Sequence, residues 1–211
     1  MGLSLSFIAT KGPDPLSALG LSADGKTSRA EPIPPPARFI AFDLGDWRFV
    51  MSDDHRFASR ERVCAAAQGG FAVGLYLEEH VMISGAFGAE AGDLAWSVQH
   101  DPNHGMEHLE TWGEPPAALE GIRDRLLAEL RKLDDADYIF SAPTELAASV
   151  CGLNVDEFNE EVDLTVLSVT RKDLMKMREH APPGAPGPSG PAPSGTTGAR
   201  PGLLARLFGR R

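Results

Sequence analysis

Apolar and polar positions alternate at Leu3, Leu5 and Phe7, and residues 3–10 predict a first strand. Pro13, Asp14 and Pro15 introduce a short helix through Leu16 and Leu19. The stretch 22–36 holds too much Pro, Gly and charge for a regular element and predicts a surface loop. Runs 38–44 and 47–52 then flank Leu44-Gly45-Asp46, the pattern of a hairpin. Ser59 is placed to cap a helix over 61–68, which Gly69 and Gly70 close.

Four strand-like runs follow at 71–77, 80–87, 94–100 and 106–112, with short connections that predict an antiparallel meander. Pro115-Pro116 opens a helix whose apolar stripe is Leu119, Ile122, Leu126, Leu127 and Leu130, with Arg123, Asp124, Glu129 and Arg131 outside. A short run at 138–140, a helix over 143–151 ending at Gly152, a β-branched strand over 162–169 and a helical turn or two over 172–178 complete the pattern. No strand feeds a helix through a glycine loop, as a nucleotide fold requires. The expected architecture is α+β, one mostly antiparallel sheet with helices packed on one face.

The rules change near Ala181. From Ala181 to Arg200, Pro and Gly fill 11 of 20 positions, and no apolar surface offsets the entropy of ordering. The chain divides into a single domain over 1–180, a disordered Pro/Gly-rich linker over 181–200 and a basic amphipathic tip over 201–211. In the tip, Leu203, Leu204, Leu207 and Phe208 share a helical face while Arg206 and Arg210 lie toward another. Two turns do not hold alone in water, so these six residues are expected to fold on a partner's groove in preference to an anionic membrane, where contact is weak.

Charge sharpens that division. The chain carries 20 basic and 30 acidic side chains, and four of the basic ones are tail arginines. The first 180 residues therefore hold 16 basic against 30 acidic groups, a formal −14. Such a body is repelled by nucleic acid and anionic lipid, which favours a protein partner and no nucleic acid. Two cysteines, Cys64 and Cys151, form no framework and sit among apolar residues, as in a reduced cytoplasmic protein. The first ten residues lack a basic region and an adequate apolar core for a signal peptide. Met1, Gly2 and Ser6 fit a loose myristoylation pattern, but the alternating Leu3, Leu5 and Phe7 explain the same letters as a strand.

Four segments carry candidate chemistry. His100, His104 and His108 recur at four-residue spacing, which on a helix forms a metal-ligating face. Pro102, Asn103 and Gly105 argue for a turn instead. Pairing His100 with Met106 across it puts His100 and His108 on one sheet face with His104 at the tip. Glu78-Glu79-His80 offers a carboxylate and an imidazole, although strand neighbours such as Glu79 and His80 point to opposite faces. Ser52-Asp53-Asp54-His55 holds nucleophile, acid and base types, but adjacency does not orient a triad, and the aspartates suit a strand end. Cys64 shares a helical face with Arg60. The acidic run 156–163 reads as a solvated connection that Phe158 anchors inward.

These features point to a non-enzymatic protein-binding adaptor or inhibitor-like module, cytoplasmic and without a cofactor. Its acidic body presents a face or groove, and its tethered tip adds a contact. The second reading is a small metal-dependent hydrolase in which His100, His104 and His108 hold the ion and Glu107 manages protons.

Overall fold

A computed structural model describes residues 3–32, 39–132 and 136–169. The expected linker 181–200, the tip 201–211 and the turns over 172–178 lie outside these residues. The described chain is a mixed α+β fold built on a nine-stranded antiparallel sheet. In chain order the elements are β1 (Ser4–Lys11), β2 (Leu21–Ala30), β3 (Phe39–Leu44), β4 (Trp47–Ser52), α1 (Arg60–Ala66), β5 (Phe71–Glu78) and β6 (Ile83–Glu90). β7 (Asp93–His100), β8 (Glu110–Gly113), α2 (Ala118–Leu130), α3 (Ala142–Cys151) and β9 (Val162–Val169) follow. Across the sheet the order is β2-β9-β3-β4-β1-β5-β6-β7-β8.

The turn chemistry explains much of this path. Gly45, at φ +57°, lets β3 and β4 join with Leu44 opposite Trp47. Ser59 Oγ accepts the Arg62 N–H and starts α1, and Gly152 ends α3 in the left-handed region. β5 through β8 form the expected meander.

The helices occupy both faces of the sheet, not one. Along β1, Leu5, Phe7 and Ala9 join a core with Leu146 and Ala147 of α3. Ile8 points the other way, into a core with Val63 and Ala66 of α1. β5 divides likewise, Val73 and Leu75 toward α3 and Ala72 toward α1. The helix pattern showed an apolar side for each helix but carried no record of which sheet face it would meet. Gly74 lets α1 approach closely, because a Cβ there would come 2.3 Å from Val63 Cγ2. The α2 residues Leu126 and Leu130 pack with Tyr138, Ile139 and Ala142 beside α3.

Four further expectations change. The expected loop 22–36 contains β2, a polar edge strand paired along β9 and broken in register between Ala23 and Thr27. An edge strand has little side-chain burial to record in its sequence, so propensity and pattern both miss it. Residues 16–20 form a turn and not a helix, and the strand expected over 80–87 runs 83–90. The strand expected over 106–112 shrinks to β8, whose register places Gln99 opposite Glu110 and Val98 opposite Thr111.

Candidate functional site

The β7–β8 connection does reverse around Pro102–His104, a 3-10 turn capped by the Asp101 carboxylate, with Gly105 at φ +120°. Its register, however, leaves His100 opposite no Met106. The longer connection lets the chain fold over, so that the His100 and His108 rings lie 6.3 Å apart and the His104 and His108 rings 4.9 Å apart. The three imidazoles meet, but not as ligands to one ion. His100 is 1% exposed. Its Nδ1 donates to the His108 carbonyl at 2.7 Å, and its Nε2 meets Asp137 Oδ2 at 2.8 Å. Both ring nitrogens are thus engaged within the protein, and His100 has no free lone pair to offer a metal. Burial works against the charged form, yet the bonds to Asp137 and His108 outweigh it and hold the imidazole above its usual value.

His108 is committed as well, its Nδ1 accepting the Asp101 N–H at 3.1 Å. Asp137 Oδ1 accepts the Phe140 N–H, and Ser84 donates to the Phe140 carbonyl. The network therefore pins the segment before α3 to the ends of β6 and β7. Sequence spacing could not show this, because Asp137 lies 37 positions from His100. Among the described residues, no group of three or more His, Cys, Asp or Glu is arranged to hold a metal ion.

A second cluster forms where β1 begins and β5 ends. Glu78 meets His55 Nδ1 at 3.1 Å through one oxygen and His80 Nδ1 at 2.5 Å through the other. Ser4 Oγ lies 3.3 Å from the same His55 Nδ1. Serine and carboxylate thus address one ring nitrogen, whereas an acyl-transfer triad needs them on opposite nitrogens. Burial opposes ionisation of Glu78, but hydrogen bonds from His80 and Ser4 and the charge of His55 hold its carboxyl below the usual range. Such a carboxylate is a weak base. Glu78 and His80 meet because the chain turns directly after β5, where the His80 N–H also donates to Glu78 Oε1 at 3.2 Å; Glu79 instead accepts the Leu3 N–H at 2.8 Å.

The remaining candidates have structural roles. Ser52 Oγ accepts the Asp54 N–H at 3.1 Å and Asp54 accepts the Arg56 N–H at 3.0 Å, which forms the turn expected at that strand end. Burial pushes the Cys64 thiol up against the opposing charge of Arg60, and burial raises Cys151 to about 11. The Arg60 guanidinium lies 5.4 Å from the ring centre of Trp112, which is 51% exposed. Trp47 and Trp96 enter the core on the α3 side. Among the described residues, no buried side-chain nitrogen or oxygen lacks a partner.

One concavity lies between α2, α3 and the acidic run. Its volume is about 470 Å³. Ala118 and Ile122 of α2 and Ala148 of α3 supply apolar lining, and Glu145, Asp156 and Glu157 supply carboxylates. Arg125 is the one cation among these lining residues, and it is bonded to Glu145. Asp156 is exposed as a residue, yet withdrawal of its carboxyl from water, with the charges of Glu79, Glu157 and Glu145, pushes it up to about 6. Phe158 packs against the core, as expected, and anchors this run.

No family model matches the chain, and neither a curated protein nor a solved structure does. No helix among the described residues is long and apolar enough to cross a membrane.

Proposed function

We propose that this chain is a non-enzymatic protein-binding adaptor or inhibitor-like module that works in the cytoplasm. Its α2–α3 groove receives a basic, partly apolar segment of a protein partner, and the tip 201–211 adds a second contact. The observation that carries this reading is the crowding of Glu145, Asp156 and Glu157 beside the apolar Ile122 and Ala148, with Arg125, the one cation among the described lining residues, already paired. A basic peptide supplies the missing charge and covers the apolar lining together. Nucleic acid and anionic lipid meet like charge on the body, which leaves the tip as the only place for a weak membrane contact. The hydrolase reading draws no comparable support, because both nitrogens of His100 serve the scaffold.

The test is calorimetric titration of the full chain with an Arg/Lys-rich amphipathic peptide of about 15 residues and with its Glu-substituted counterpart. Only the basic peptide should bind. Ser149→Arg, at an exposed position in the groove, should weaken it about tenfold, the order expected for one misplaced charge. Binding should also weaken as pH falls through about 6, where Asp156 gains its proton. Equal binding of both peptides, or indifference to Ser149→Arg, overturns the assignment.

A further inference from the structure

A second trough lies on the half of the sheet away from α3. Ala30, Ile40, Leu164 and Val166 form its apolar lining, Glu31 and Glu161 are its carboxylates, and its volume is about 500 Å³. Glu31 also lines an adjoining pocket of about 180 Å³ with Leu3, Val155 and Phe158. At this trough β3 and β9 share two register pairs, Ile40 with Val166 and Ala41 with Thr165. The helices meanwhile concentrate on β5, β6 and β7. Arg29 lies 3.8 Å from Glu161, but both side chains are largely exposed and such a pair holds weakly.

We propose that residues 201–211 of this same chain dock in that trough and occupy it in the resting protein. Leu203, Leu204, Leu207 and Phe208 cover Ile40, Leu164 and Val166, and Arg206 and Arg210 face Glu31 and Glu161. Charge complementarity favours this occupant, since the segment after residue 180 holds four Arg and no acid while the preceding residues carry a formal −14. Connectivity favours it too, because the chain continues to the tip from β9, the strand that supplies Leu164 and Val166.

About 34 residue steps separate Val169 from Leu203, a contour of roughly 115 Å. For a Pro- and Gly-rich sequence of that length the expected mean reach is roughly 30 Å, the scale of one domain. Tethering at such lengths gives an effective concentration on the order of 1 mM, so an intrinsic affinity of only about 100 µM keeps the tip docked roughly nine-tenths of the time. A partner that takes the tip must first displace it, which weakens apparent affinity about tenfold. The tether thereby becomes a regulatory element.

This inference rests on the tip being a docking peptide, but not on the α2–α3 groove. The test uses methyl NMR of the full chain, comparing it with the tip variant Leu207→Asp/Phe208→Asp, which leaves the sheet sequence intact. The methyls of Ile40, Leu164 and Val166 should shift between the two proteins, and those of Val63 and Val73 should not. In a second variant, Glu161→Arg, the spectrum should move toward that of the tip variant, and Arg206→Glu/Arg210→Glu should restore the docked shifts. Absence of a shift at the three methyls overturns the proposal. Shifts that disappear on dilution overturn it as well, because they place the tip on a second copy. Neither result bears on peptide titration of the α2–α3 groove, so the two readings fail separately.

Discussion

β5, β6 and β7 lie between helices, α1 on one face and α3 on the other, and β5 buries five of its eight positions and β6 six consecutive ones. β2 and β9, at the far end of the same sheet, bury little beyond Leu21, Leu164 and Leu167. The backbone ladders are comparable, since β2 follows β9 over seven register pairs. The two regions therefore differ in what their side chains meet. Hydrogen bonding builds a sheet at either end, but only helix cover turns a strand into core. The polar β2, with Asp24, Lys26 and Arg29, also discourages a foreign strand from adding at that edge. Among the described residues, the β2/β9 end is thinly covered and the helix-covered end holds the fold.

The sharpest way to break this comparison is a pair of truncations. Leu146→Ala, in the fully buried α3 contact, should lower stability by about 2–5 kcal/mol. Val166→Ala, half-buried in the trough, should cost less than about 1 kcal/mol. Urea unfolding of both variants measures the difference, and equal losses would show that the two ends are equally packed.

Next in size is the tie between the β6–β7 end and α3. Asp137→Ala leaves the buried His100 ring without its carboxylate partner and should cost about 3 kcal/mol. His100 binds its proton more tightly folded than unfolded. The stabilisation is thus complete below the unfolded value near 6.5 and is lost as pH rises through the higher folded value. Unfolding followed from pH 5 to 9 should therefore show the gap between wild type and variant narrowing upward. A gap that widens with pH would mean that His100 is neutral.

Trp112→Ala tests the β8 edge, where the exposed ring packs beneath Arg60. The expected cost is about 0.5–1 kcal/mol, the size of an exposed cation–π contact. A thermal-melt shift comparable to that of Leu146→Ala would make β8 part of the core region.

The smallest effect concerns Asp156 and appears mainly as slope. Between the ordinary carboxylate value near 4 and about 6, the folded chain keeps a proton that the unfolded chain releases. Stability should fall with rising pH across this window on account of this group, and Asp156→Asn should remove that contribution. An unchanged slope in matched denaturant series would show that the acidic groove is not crowded.

The same contrast explains which parts of the chain were legible. β3, β4 and β5 stood out because near-continuous apolar runs and a Gly45 turn leave a local record, and α3 because Pro143 opens it and Gly152 ends it. β2 left no such record, since an edge strand with exposed side chains has the composition of a loop. For the candidate sites, the histidine turn was visible but its chemistry was not. His100 is held by Asp137, and Glu78 owes its clamp to His55, 23 positions away.

The sequence by itself determined the period of each buried strand, the caps of α1 and α3, the acidic body and the basic tip, because each follows from neighbouring residues or simple counting. Tertiary structure decided the pairing of β2 with β9, the placement of α1 and α3 on opposite faces, the pairing of His100 with Asp137 and the convergence of Asp156 with Glu79, Glu145 and Glu157. Those outcomes depend on groups far apart along the chain, and a local pattern carries no information about a distance that only folding creates.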